Sequence, residues 1–82
     1  MGERDFSHRY RTSREYADEQ AEKYNHGEQV DTYRGITGAP WVAEAYEIAA
    51  ENARLVVGIQ GTFWQPVLDE CLRLAEQYKT KG

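Results

Sequence analysis

Cysteine and methionine each occur once in 82 residues, and proline and histidine twice. A lone Cys71 makes no intramolecular disulfide, and it puts the multi-cysteine zinc sets out of reach. Aliphatic bulk is also scarce. Leu, Ile, Val and Phe together number 14 of 82 residues, under the roughly 20% below which a chain begins to look disordered. No apolar run approaches the ~20 residues of a membrane helix, so no membrane partner is expected. The opening MGERDFSHRY has no apolar core of a signal peptide. Phe6 stands where a myristoylation motif wants Ser or Thr. With one cysteine and no leader, the expected compartment is a reducing cytoplasm. A phosphate loop is absent as well, since Gly35-Ile36-Thr37-Gly38 is too short and lacks the lysine.

What is present argues for a fold with a thin core. The formal net charge is only −4, and two Trp and six Tyr add large apolar area. A chain of this size makes one domain at most and buries a small share of its surface. Lacking a disulfide or a metal as a staple, it is expected to lean on self-association or on a protein partner.

Periodicity gives an all-α domain: an antiparallel helical hairpin over about 40–79 plus a weaker N-terminal helix. Residues 1–11 read as a flexible basic arm, and 12–82 as a single small helical domain. Thr12 and Glu15 have capping-box spacing, and Asn25-His26-Gly27 supplies a stop, which predicts a helix over about 12–25. Residues 28–38 suit either a short strand near Val30–Tyr33 or a loop. Pro40 opens the second helix. Trp41, Ala45, Ile48, Ala49, Asn52, Leu55, Val56 and Ile59 mark its apolar stripe, and Gly58 its end. Thr62 and Gln65 offer a second capping box, with Pro66 tolerated in the first turn of the third helix. Trp64, Val67, Leu68, Cys71, Leu72, Ala75 and Tyr78 then step by three and four, which places Leu72 and Trp64 in the core.

Chemistry is hard to find. His26-Gly27-Glu28 matches half of a zinc deaminase signature, whose cysteine half is missing. Cys71 lies inside an apolar stripe and reads as an inert thiol. The carboxylate pairs fall on polar helix faces. The expectation is a non-enzymatic chain with no cofactor and no metal site.

Three features point to binding instead. Phe63 is about 100° off the Trp64 stripe, so it either packs on the link and the first helix as core or is exposed; it is assigned to a partner surface, with Gln60 and Gln65 as hydrogen-bonding neighbours. Glu15, Asp18, Glu19 and Glu22 share one face of the first helix and can imitate phosphates. The arm RDFSHRYRTSR interleaves Arg9 and Arg11 with Tyr10, a pattern suited to phosphate contact and base stacking, although the acidic pI of about 5.1 weakens that reading. The leading expectation is therefore a protein-binding module acting as an inhibitor or adaptor. The alternative is a dimeric nucleic-acid-binding regulator that uses the arm. In its size, acidity, aromatic content and lack of motifs the chain resembles small phage-encoded inhibitors of host machinery such as anti-CRISPR proteins. That resemblance is one of kind, and it assigns no residue a role.

Overall fold

Gly27 ends the first helix, α1 (Phe6–Asn25), where the sequence places the stop. Its φ of 76° is one that glycine adopts without a Cβ clash. The Glu28 amide donates to the Lys23 carbonyl (2.8 Å) and the Gly27 amide to the Tyr24 carbonyl (3.1 Å), the paired bonds of a Schellman motif. The computed structural model describes residues 6–81, with side chains from His8 onward. Arg4 and the side chain of Phe6, both counted in the basic arm, lie outside the described residues.

The start of α1 corrects the expected boundary at Thr12. Thr12 does not cap; its hydroxyl donates back to the carbonyls of His8 and Arg9. Ser13 does the same to Arg9 and Tyr10, both at 2.9 Å. Such hydroxyls satisfy themselves inside a helix, so a cap-like sequence does not force a terminus. The first turns also gain a tertiary anchor, because Tyr10 is buried edge-on against Trp64, with ring centroids 5.5 Å apart. Short polar helices take most of their stability from such packing.

The loop from 26 to 38 forms no strand. Tyr33 and Ile36 exchange both backbone hydrogen bonds around Arg34-Gly35. Both turn residues have positive φ, 55° and 81°, which is the mark of a type I′ turn. Arg34 is an uncommon residue there, and its guanidinium lies over the Tyr33 ring at 5.5 Å. The loop is tied down by a relay. Trp41 Nε1 donates to the Tyr16 hydroxyl (3.0 Å), which donates to Asp31 (2.8 Å). The buried Gln20 holds Asp31 from the other side, accepting its backbone amide at 2.8 Å.

The second helix, α2 (Ala39–Gln60), starts at Gly38 with Pro40 in its first turn. Gly58 does not end it. The terminator is Gly61, with φ 93° and its amide bonded to the Val57 carbonyl. A single 3₁₀ turn, Thr62–Trp64, leads into α3 (Gln65–Lys81). The second capping box does not form, since no side chain caps this turn and Gln65 bonds Asp69 instead (3.2 Å).

The three helices make an all-α bundle with α2 in the middle, packed on both α1 and α3. One core layer joins Ala17 and Ala21 of α1, Val42 and Tyr46 of α2, and Ala75 and Tyr78 of α3. The other gathers Tyr10, Ala49, Ala53, Val56, Leu68 and Cys71 nearer the hairpin corner. These layers run α1 antiparallel to α2, and α2 antiparallel to α3. No helix among the described residues is long and apolar enough to cross a membrane.

Four expected core positions are overturned. Leu72 is 41% exposed, because α3 is buried along the narrower line of Leu68, Cys71, Ala75 and Tyr78. On α2 the buried residues include Trp41, Val42, Ala43, Tyr46, Ala50 and Ala53 together with Ala45, Ala49 and Val56, and Ile48, Leu55 and Ile59 are exposed. Two flanking helices choose the sides of α2 where alanines let them come close.

Candidate interaction surface

Ile48, Leu55 and Ile59 sit at i, i+7 and i+11, within about 40° of one another around the helix. They form one line on the outer face of α2 and are each between 41% and 54% exposed. Trp41 belongs to the same line, seven residues before Ile48. It is buried because Tyr16 and the loop residue Tyr33 pack on it, at 6.3 and 6.0 Å between centroids. The loop thus covers one end of the line and leaves the rest open. Beyond the other end stands Phe63, 88% exposed at the corner where α2 gives way to α3. Gln60 and Gln65 beside it are exposed too. Trp64, one residue on, turns inward against Tyr10 and the second core layer. The side-by-side Phe63 and Trp64 therefore divide between surface and fold.

Near the start of α2 lies a shallow groove of about 340 Å³, lined by Ile36, Pro40, Ala43, Glu44, Glu47 and Lys79. Its floor is apolar. Lys79 closes one side through an ion pair with Glu47 at 2.9 Å, which raises the lysine pKa.

The acidic face of α1 is only partly available. Glu15, Glu19 and Glu22 are exposed, and Glu19 is 3.9 Å from Lys23. Asp18 is committed to the bundle. It accepts from Arg14 Nε (3.1 Å) and from the Tyr46 hydroxyl (2.6 Å). Arg14 is the hub of this cluster. It also reaches Glu70 of α3 at 3.2 Å and the Tyr10 hydroxyl at 3.2 Å, and it lies 5.7 Å from the Tyr46 ring centroid. Burial works against its charge, yet the hydrogen bonds to Asp18, Glu70 and Tyr10 outweigh that and raise its pKa. Burial, and next the bond to Asp18, push the Tyr46 hydroxyl pKa up. The spacing of Arg14 and Asp18 marks an i,i+4 pair, but nothing in the sequence names Tyr46 and Glu70 as their partners.

The basic arm is likewise changed by the fold. Arg9 and Arg11 are exposed on α1, whereas Tyr10 is core. Tyr10 is thus withdrawn from base stacking, and Arg14 is held by two carboxylates. Cys71 is fully buried, and burial raises its thiol pKa, so the nucleophilic thiolate is disfavoured. Among the described residues no three His, Cys, Asp or Glu gather as metal ligands. No protein-family model, curated protein or solved structure matches the chain.

Proposed function

We propose that this chain is a non-enzymatic protein-binding module, an inhibitor or adaptor, whose contact surface is the outer ridge of α2 and the Phe63 corner. The observation that carries the reading is Phe63, an aromatic ring 88% exposed at the end of a line of exposed aliphatic residues. Monomeric proteins seldom leave large apolar side chains contiguous, and aromatic residues dominate binding energy where they are buried by a partner. The rim is suited to recognition, with Gln60 and Gln65 beside the ring and Glu44 and Glu51 along the helix. The ridge is presented by a bundle whose buried side-chain polar atoms, among the described residues, all have partners. It is therefore pre-organised, and binding costs little ordering entropy.

The test is affinity capture with the tagged chain in the cells from which the sequence comes. Proteins retained by the wild type and lost with Phe63→Asp and with Leu55→Asp are the expected result. The same proteins retained by all three chains would remove the ridge as the contact surface.

A further inference from the structure

We infer that the occupant of the ridge is a second copy of this chain, in a twofold dimer whose α2 helices pack antiparallel about a point between Ala53 and Arg54. This rests on reading the ridge as a protein contact surface.

The spacing of the ridge is self-complementary in this register. Ile48 and Ile59 are equidistant from the midpoint, so each Ile48 meets Ile59 of the other copy. Leu55 meets Asn52 of the other copy. Phe63 lies as far beyond the midpoint in sequence as Glu44 lies before it, and Glu44 lines the apolar groove with Pro40 and Ala43. The flanks agree as well. A twofold axis perpendicular to the plane of two antiparallel helices keeps like flanks on the same side. Phe63 is on the turn into α3, and the groove is closed by Lys79 of α3, so both belong to the α3 flank. Each Phe63 ring thus arrives at the groove of the other copy, a knob and a hole at opposite ends of one helix. Such a contact is isologous and closes on itself, with no tendency to form filaments.

Charge sets the direction. Glu51 and Arg54 are both exposed on the α3 flank of α2. They lie on either side of the midpoint, so antiparallel packing sets Glu51 near Arg54 of the other copy, twice. Parallel packing, about a twofold axis along the helices, would instead put the two α3 flanks on opposite sides and leave Glu51 and Arg54 without this pairing. The ridge from Ile48 to Ile59 is about 16 Å long, short of a standard interface of roughly 800 Å² per partner. A dimer with a dissociation constant on the order of micromolar is expected.

Sedimentation equilibrium of the full chain, from low to high micromolar, should show a reversible monomer–dimer equilibrium. Phe63→Asp should weaken it about tenfold or more, the scale of a lost hot spot, with the thermal transition retained. Glu51→Arg should weaken it, and adding Arg54→Glu in the same chain should restore it. Geometry is read by a short bis-maleimide on Ile48→Cys and Ile59→Cys chains, since Cys71 is buried and silent. Cross-linked dimer from the mixture of the two, but little from either alone, fits the antiparallel register. Strong cross-linking of each variant to itself overturns it. A wild type that stays monomeric while host-protein capture is still lost with Leu55→Asp overturns the dimer and leaves the ridge as a contact surface for another protein. A monomeric wild type with unchanged capture overturns both.

Discussion

Along α2 the side turned to α1 and α3 carries Ala43, Ala45, Ala49, Ala50 and Ala53, and the side turned to solvent carries Ile48, Leu55 and Ile59. The alanines are inside, together with Val42, Tyr46 and Val56, and the isoleucines and the leucine are outside. Transfer energy alone would reverse this, because a buried Ile or Leu gains more than a buried Ala. Close packing explains the inner side. Alanine is the best helix former and lets neighbouring helices approach closely, so the tyrosines and tryptophan contributed around α2 can fill what remains. Nothing in the single chain explains the outer side, and that asymmetry is what the proposed contact surface rests on. Trp41 sharpens the contrast. It shares the outer line, and it is buried only because Tyr16 and Tyr33 cover it.

That contrast can be broken by substitution, and Trp41→Ala should do the most damage. It removes a buried ring and the donor to Tyr16, for a loss of about 3–5 kcal/mol in chemical denaturation. A small loss would mean that the loop does not cover the line in solution. Next is Ala53→Leu, which adds bulk at a position with no exposure. Overpacking there should cost about 1–3 kcal/mol, and a neutral or stabilising result would deny that alanine sets the helix spacing.

Tyr46→Phe tests the charged cluster that joins the layers. Removing a hydrogen bond to a carboxylate that is itself about half exposed should cost on the order of 1 kcal/mol. It should also change the alkaline limb of stability. Burial holds the Tyr46 hydroxyl above its ordinary value of 10.0, so above that pH the unfolded chain loses a proton that the folded chain keeps. Stability is then full below this value and falls as pH rises past it. Cys71 and Tyr10, also raised by burial, act in the same direction, with the decline starting near the ordinary thiol value of 9.0. Denaturation curves from pH 8 upward should be shallower in their pH dependence for Tyr46→Phe. An unchanged slope would mean that this hydroxyl is solvated.

The smallest effect belongs to the outer face. Leu55→Ala, measured at a concentration low enough to keep the chain monomeric, should shift stability by no more than about 0.5 kcal/mol. A core-sized loss would show Leu55 to be packed within the single chain and would dissolve the distinction between the faces.

Much of the architecture was legible without coordinates. Gly27 ends α1 because its chemistry is local, and Pro40 and the stepping apolar residues of α3 announce helices that do form. The candidate surface was legible in one residue, Phe63, because a position about 100° off a strong stripe is a statement about one helix alone. The rest of the ridge was not. Ile48, Leu55 and Ile59 follow the same helical spacing as residues that are buried, so periodicity read them as core. Tyr10 and Asp18, read as binding residues, are drawn into the bundle by Trp64, Arg14 and Tyr46.

By itself the sequence determined that there would be three helices, where α1 stops, and that α2 and α3 would fold back on each other. Glycine stereochemistry at Gly27, proline at Pro40 and apolar spacing act within a few residues, and that a helix forms or stops there needs no distant neighbour. Only the tertiary structure decided which side of α2 is inside, how far α1 extends toward the N-terminus, and which charges are tied up. Apolar residues are spread around α2 on more than one side. The choice among those sides depends on how closely α1 and α3 can approach, and that is a matter of shape between elements distant in the chain.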